Sequence, residues 1–91
     1  MNNWPFPFYE EKPLIPTKDA QNEMDDIGLD LWQIKEIIEK GYECSRSQRA
    51  KNIVERCIFK RGKEVRVVVA LVEWKQGSFW RIIHVGKTSG H

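Results

Sequence analysis

The second half of the chain consists of three strand-like segments separated by very short, glycine-containing turns. The segments 53–60, 64–74 and 79–87 are rich in valine, isoleucine and aromatic residues. The intervening turns, 61–63 and 75–78, leave room only for a reversal of chain direction. The pattern therefore predicts an antiparallel meander in which each strand pairs with the next.

Two short helices are predicted ahead of these strands. Thr17 is a suitable N-cap for a helix that ends at Gly28. Asp30 followed by Gln33 matches a capping box for a second helix, which ends at Gly41. Apolar residues recur at helical spacing in both segments, so each helix has one face for a core. The predicted fold class is α+β: two short N-terminal helices packed on a three- to four-stranded antiparallel meander.

The first sixteen residues differ from the rest because they contain all four prolines. Proline restricts its own backbone and that of its predecessor, so residues 1–16 are predicted to form an irregular arm. Residues 17–91 are predicted to form a single domain. The arm is also rich in aromatic side chains: Trp4, Phe6, Phe8 and Tyr9. These side chains either pack along the domain's own surface or are received by a second chain.

The second predicted helix carries an aromatic residue on its polar side. At 100° per residue, Trp32 falls opposite the apolar stripe, together with Glu36 and Glu39. An exposed tryptophan among carboxylates needs a cover. The arm is the first candidate for that cover and a partner protein is the second. The predicted partner-binding residues are Trp4, Phe6, Phe8 and Trp32.

The composition is that of one small globular domain. Of the 91 residues, 41% are hydrophobic and 31% are charged, which argues against wholesale disorder. No apolar run approaches the roughly 20 residues of a membrane-spanning helix, so no membrane partner is expected. The first residues lack the basic start and apolar stretch of a signal peptide. The expected compartment is the cytoplasm.

The residues considered for a zinc site are the two cysteines and the two histidines. Cys44 and Cys57 lie thirteen positions apart without a CxxC motif, and adding His84 and His91 does not produce zinc spacing. No metal site and no cofactor are therefore expected. Reduced, partly buried thiols are the expected state of the cysteines in a cytoplasmic protein.

Charge is divided unequally along the chain. Residues 1–43 contain four lysines against ten carboxylates, a net charge of −6, whereas residues 44–91 contain eleven cations against three carboxylates, a net charge of +8. Together these give the overall charge of +2. A basic half of this kind indicates a polyanionic partner, and Arg46, Arg49 and Lys51 in the loop before the strands are candidate nucleic-acid contacts. The alternative is that the acidic half folds against the basic half and neutralises it.

The turn at 75–78 suggests a register for the last two strands. It pairs Trp74 with Phe79 and Arg66 with Lys87, and it places Arg81 on the same face. Directly opposed cations are destabilising, and an anion between them would remove that cost. Trp74 and Phe79 could stack with the bases of single-stranded nucleic acid. The alternative is that long Arg and Lys side chains merely cover apolar sheet.

Cleavage of RNA without a metal needs a general acid, a general base and cations at the phosphate. Arg81, Arg66 and Lys87 are the candidate cations. The predicted register places His84 opposite Val69 on the apolar face, which favours a buried structural histidine; if exposed, it could be the acid or base. These four are the candidate catalytic residues.

Two segments carry a resemblance to a known family. In the stretch 19–30, Ala20, Met24 and Gly28 match a family pattern, and the last strand has an Arg-Ile-Ile core at 81–83 followed by Lys87. The chain resembles small uncharacterised proteins close to the RelE/ParE and BrnT toxin-type ribonucleases. The resemblance covers about residues 17–87 and implies a RelE/BrnT-like fold, a toxin–antitoxin-like role and an antitoxin-like partner.

The same stretch departs from the family at its polar positions. Where the family carries His, Arg and Arg, this chain has Asp19, Glu23 and Ile27. A helix face that could hold phosphate has become acidic or apolar, and carboxylates repel phosphate. The resemblance therefore supports the fold better than the activity.

Two functional hypotheses follow. The first is a RelE/BrnT-like small domain that contacts RNA as a toxin-type, metal-independent endoribonuclease, with an antitoxin-like protein or a second copy as partner. The alternative is a non-catalytic protein-interaction or nucleic-acid-binding module that has lost the family's catalytic residues.

Overall fold

Six strands and two helices make up the computed structural model, which describes residues 6–44 and 51–89. In chain order they are β1 (Phe8–Tyr9), β2 (Lys12–Pro16), α1 (Lys18–Ile27), α2 (Leu31–Lys40), β3 (Tyr42–Glu43), β4 (Ile53–Lys60), β5 (Lys63–Trp74) and β6 (Gly77–Ser89). The strands form one sheet in the order β1-β2-β6-β5-β4-β3. Strands β2 and β6 are parallel, and every other neighbouring pair is antiparallel.

Local capping explains both helices, and their predicted positions are confirmed. The Thr17 side chain accepts a hydrogen bond from the Ala20 N–H at 3.0 Å, and α1 ends at Gly28 in the left-handed conformation. At the start of α2, Asp30 and Gln33 exchange the two hydrogen bonds of a capping box. Each helix has ten residues, and neither of these described helices is long or apolar enough to cross a bilayer.

The three C-terminal strands are confirmed with small changes at their ends. Strand β4 has the predicted bounds, β5 begins one residue earlier than predicted, and β6 extends two residues further at each end. The β4–β5 turn has Arg61 at φ 53° and Gly62 at φ 78°. Two successive positive φ values are the signature of a type I′ hairpin turn, which suits the twist of the flanking strands.

The predicted arrangement of helices on an antiparallel meander is wrong. Two strands precede the helices, and the sheet has six strands and is mixed. Within the predicted irregular arm, residues 8–16 form a hairpin at the edge of the sheet. Proline is compatible with extended backbone and lacks only an N–H donor. Pro13 and Pro16 lie in a strand that makes few pairings, and Leu14 and Thr17 supply the neighbouring N–H donors.

Pairing of β2 with β6 draws part of the N-terminal segment into the core. Leu14 lies opposite Trp80 and is fully buried, and the Tyr9 ring packs against the Trp80 ring at 5.6 Å. Phe6 is half-buried and Phe8 is exposed. The prediction that this segment covers the tryptophan of α2 is wrong, because Trp32 remains 62% exposed.

Both helices pack on one side of the sheet, which is called the helix face here. Along β5 and β6 this face carries the alternating apolar side chains that the strand pattern predicts. The core cluster contains Leu14, Ala20, Met24, Leu29, Ile34, Ile37, Ile38, Val65, Val67, Val69, Trp80, Ile82 and Val85. The opposite side of the sheet is called the outer face.

The register of the β5–β6 hairpin differs from the predicted one. The loop is Lys75-Gln76, so Trp74 lies opposite Gly77 rather than Phe79. A β-bulge between Val68 and Val69 then shifts the remaining pairs by one residue. Neither feature follows from the turn sequence alone, because several loop lengths fit it.

The observed register separates Arg66 from Lys87, the cation pair that indicated an anion-binding site. Arg66 lies opposite Gly86, and Lys87 lies opposite Val65. Because side chains alternate between faces, Arg66 is on the outer face and Lys87 is on the helix face. The predicted Arg66–Lys87 juxtaposition does not occur.

The expectation of reduced thiols is also wrong. Cys44 and Cys57 form a disulfide with a Cα–Cα distance of 5.3 Å. Strand β3 pairs with β4 so that Tyr42 lies opposite Cys57, which brings the end of β3 beside the buried centre of β4. The cysteines meet because β3 pairs with β4. Their spacing of thirteen residues in the sequence does not indicate that pairing.

Candidate nucleic-acid interface

The outer face combines a buried centre with exposed ends. Its centre contains Glu55, Cys57 and Val68, whose side chains are almost completely shielded from solvent. One end, at the β5–β6 turn, carries Trp74 and Phe79. This face therefore divides into a part that is sealed and a part that a ligand can reach.

The β5–β6 end holds two aromatic rings and a guanidinium group in contact. The Trp74 and Phe79 ring centroids lie 6.4 Å apart with an interplanar angle of 82°. The guanidinium carbon of Arg81 lies 5.6 Å from the Phe79 centroid. Trp74 is 61% exposed, and Arg81 is also exposed. These three residues are called the Trp74–Phe79–Arg81 patch.

The backbone of the hairpin explains how the patch forms. Trp74 lies opposite Gly77, which has no side chain and a φ of 141°. Phe79 is then the diagonal neighbour of Trp74 on the same face, a distance that aromatic side chains bridge. Arg81 follows Phe79 by two residues and points to the same side. All three residues are candidates from the sequence, but the predicted register places Phe79 directly opposite Trp74.

The patch offers the two interactions that single-stranded nucleic acid requires. An exposed indole presents a π-face for base stacking, and arginine supplies a cation next to an aromatic ring. Within the described ranges, Arg81 forms no ion pair with a carboxylate, so its charge is available to a phosphate.

Arg66, the second candidate cation on this face, has a carboxylate partner. Its Nε lies 3.2 Å from Oε2 of Glu55, which is only 3% exposed. A buried carboxylate requires compensation, and Arg66 provides it from the partly exposed side of the sheet. Arg66 therefore acts on the fold of the sheet centre rather than on a ligand.

His84 lies on the outer face, half-exposed, and the prediction of a buried histidine opposite Val69 is wrong. The bulge places it opposite Val68, and its Nδ1 lies 3.2 Å from Oε2 of Glu23. The other carboxylate oxygen of Glu23 accepts a hydrogen bond from the Val85 N–H at 2.9 Å. The imidazole also needs Gly86, where a Cβ would lie 2.9 Å from the ring. His84 is thus part of a connection between α1 and the edge of β6.

The four candidate catalytic residues do not converge on one point. Arg81, Arg66 and His84 lie on the outer face, but Arg66 and His84 are each paired with a glutamate, and Lys87 lies on the helix face. General acid–base cleavage needs the acid, the base and the cations around one phosphate. The described residues do not provide that arrangement.

Several other predicted contacts lie outside the described residues. Trp4, Arg46 and Arg49 belong to this group, whereas Lys51 is described and exposed.

A second aromatic pair at the other end of the outer face was missed by the sequence analysis. The rings of Tyr42 and Phe59 stack at 6.0 Å with an interplanar angle of 29°, and the Tyr42 hydroxyl donates to Oε2 of Glu64 at 2.8 Å. Partial burial raises the pKa of the Tyr42 phenol, and the hydrogen bond to the Glu64 carboxylate and its negative charge raise it further. Only the two-residue pairing of β3 with β4 brings these side chains together.

Comparison of the chain with protein-family models, curated proteins and solved structures gives no match. The resemblance to the RelE/ParE and BrnT ribonucleases therefore stays a prediction from the sequence.

Proposed function

We propose that this protein is a non-catalytic module that binds single-stranded nucleic acid through the Trp74–Phe79–Arg81 patch. The observation that carries the proposal is the exposure of the Trp74 ring at 61% beside an arginine without a carboxylate partner among the described residues. Leaving a large indole in water costs free energy that stacking with a base would recover.

Binding is favoured over cleavage for a geometric reason. The cations that a ribonuclease would place around one phosphate lie on two faces of the sheet, and Arg66 is occupied by Glu55. A stacking surface with one adjacent guanidinium is sufficient for binding but supplies no acid or base.

The chain contains a matched control for testing the patch. Trp32 on α2 is 62% exposed, almost the same as Trp74, but its helix packs on the opposite side of the sheet from the patch. The experiment measures fluorescence anisotropy of a labelled single-stranded RNA 12-mer titrated with wild type, Trp74→Ala and Trp32→Ala. Removing one stacking ring should weaken binding about tenfold in Trp74→Ala, because base–aromatic stacking contributes about 1–3 kcal/mol. Trp32→Ala should bind as wild type does.

Equal affinity of all three proteins would contradict the proposal, and so would equal losses in both variants. A gel of the same RNA after incubation should show it intact. Shortened RNA that depends on Arg81 would instead favour the ribonuclease hypothesis.

A further inference from the structure

A cavity of about 410 Å³ opens at the end of the sheet opposite the patch, where β4 turns into β5 and β6 ends. Its rim is cationic and consists of Lys60, Arg61, Lys63 and Lys87. Its floor is apolar and consists of Ile27, Leu29 and Val65. No carboxylate is among the described residues that line it. These seven residues are called the cationic groove.

Three of the rim lysines lie side by side on adjacent strands of the helix face. Lys60 lies directly opposite Lys63, and Lys87 lies opposite Val65, the next residue of β5 on that face. Like charges directly opposite one another destabilise a sheet. A cation cluster therefore exists, but Lys87 shares it with Lys60 and Lys63 rather than with Arg66 and Arg81, and it lies on the other face.

The rim cations are not neutralised by the described part of the chain. None of the four forms an ion pair there, whereas Lys35 and Lys40 on α2 each pair with a glutamate. The fold thus places four cations around a concave surface, and none of them forms an ion pair with a described carboxylate. An anion from outside the described residues would remove the repulsion.

Arg61 supplies the guanidinium group of the rim from the β4–β5 turn. It occupies the first central position of a type I′ turn with φ 53°, where asparagine, aspartate or glycine fit the backbone far better. Gly62 follows at φ 78°, as the turn demands. Glu10 and Glu11 have φ 49° and 65° in the β1–β2 turn, so this chain accepts charged residues in such a backbone. What Arg61 contributes is its exposed side chain, which lines the groove.

The apolar floor restricts the kind of anion. Ile27 and Leu29 flank the left-handed Gly28 at the end of α1, and with Val65 they form a surface that offers no side-chain hydrogen bonds. A small inorganic ion has no apolar group to pack against this floor. The volume lies in the range of pockets for small organic ligands.

We propose that the cationic groove binds a compact organic anion with two or more phosphate groups, its phosphates on the rim and its organic part on the floor. Arginine matches phosphate oxygens with two parallel N–H donors, and lysines act as point charges beside it. Such a group is present in a free nucleoside triphosphate and at the 5′ end of a triphosphorylated RNA. This proposal is independent of the Trp74–Phe79–Arg81 patch, which lies at the other end of the sheet.

The test uses the full chain and isothermal titration calorimetry at constant ionic strength. Adenosine triphosphate, inorganic triphosphate and sulfate are the three probes, and Lys63→Gln is compared with Lys18→Gln. Lys18 is an exposed lysine in the first turn of α1 and is not among the groove residues, so both variants lose one charge. The nucleotide should bind about tenfold more weakly to Lys63→Gln, as expected for one charge-assisted hydrogen bond, and with unchanged affinity to Lys18→Gln.

A folding defect can be separated from a binding defect by thermal unfolding. Lys63→Gln removes a like-charge pair, so it should melt at or above the temperature of wild type. Equal nucleotide affinity of the two variants would overturn the proposal. Sulfate binding as tight as nucleotide binding would also overturn it, because the groove would then select only charge. Inorganic triphosphate binding as tightly as the nucleotide would overturn the role of the apolar floor.

The two sources of the phosphates are distinguished with one RNA in two forms. If the ligand is the RNA end, a 5′-triphosphorylated 12-mer should bind more tightly than its 5′-hydroxyl form, and Lys63→Gln should abolish the difference. If the ligand is a free nucleotide, the two RNAs should bind equally while nucleotide binding depends on Lys63. Trp74→Ala should leave nucleotide binding unchanged, so failure of one proposal does not imply failure of the other.

Discussion

The centre and the ends of the outer face carry similar residue types but place them in different surroundings. At the centre, Arg66 contacts the buried carboxylate of Glu55. At the β5–β6 end, Arg81 lies over the half-buried ring of Phe79 and has no carboxylate partner among the described residues. The two arginines lie on the same face of the sheet but have different surroundings. Arg66 neutralises a buried carboxylate, whereas the charge of Arg81 is available to a ligand. The comparison predicts that changes at the centre affect stability and changes at the end affect binding.

The largest effect on stability is expected from the disulfide at the centre. Closing a loop of about fifteen residues stabilises a fold by about 3 kcal/mol, and Cys44 and Cys57 are separated by 13 positions. Reductant should therefore lower the urea midpoint of wild type. It should leave the midpoint of a Cys44→Ala/Cys57→Ala variant unchanged. RNA affinity of the reduced, folded protein should equal that of the oxidised protein, because the patch lies away from the centre. Loss of RNA binding on reduction would break the comparison.

The two arginines provide a smaller and more direct test. Arg66→Met takes a partner from the buried Glu55 and should cost about 2–3 kcal/mol. This is less than the loss of a fully buried pair, since Arg66 is more than one-third exposed. Arg81→Met should change stability by less than about 0.5 kcal/mol. Urea unfolding measures both values.

RNA binding should show the reverse order for the two arginines. Arg81→Met should weaken RNA binding and reduce its dependence on salt concentration, because one phosphate contact is lost. Arg66→Met should leave both unchanged at temperatures where it is folded. If the two variants have equal stability, or if Arg66→Met weakens RNA binding more, the division between centre and end is wrong.

The difference between local and long-range features explains what the sequence could predict. The caps at Thr17 and Asp30 depend on residues three positions away, so they were found correctly. The parallel pairing of Leu14 with Trp80 joins opposite ends of the chain and has no local signature. The prolines around Leu14 predict an irregular arm, but proline is compatible with a strand and removes only some of its hydrogen bonds.

The candidate sites show the same limit. Trp74 and Phe79 are predicted from residue types that suit stacking whatever the detailed register, and Arg81 is predicted as a cation for phosphate on the same face. Lys60 and Lys63 were assigned only to strand and turn, and their direct opposition depends on the type I′ geometry of the turn between them. The bulge at Val68 and Val69 moved Lys87 from the outer face to the helix face. A one-residue irregularity in one strand thus decided which cations lie together.

The smallest effect is expected at Tyr42, at the end of the outer face away from the patch. Partial burial and Glu64 raise the pKa of the Tyr42 phenol. The folded protein therefore holds the phenol proton more tightly than the unfolded chain, in which tyrosine has a pKa of about 10. The stability from this difference is fully present below about pH 10 and is lost as pH rises through the folded pKa.

Glu64→Gln keeps an acceptor but removes the charge, so the absorbance titration of the phenolates should show one of the two tyrosines shifted to lower pH. The free energy of unfolding between about pH 9 and pH 11 should then depend less on pH in this variant than in wild type. An unchanged titration would mean that Glu64 does not raise the pKa of Tyr42, and the proposed electrostatic interaction between β3 and β5 would be absent.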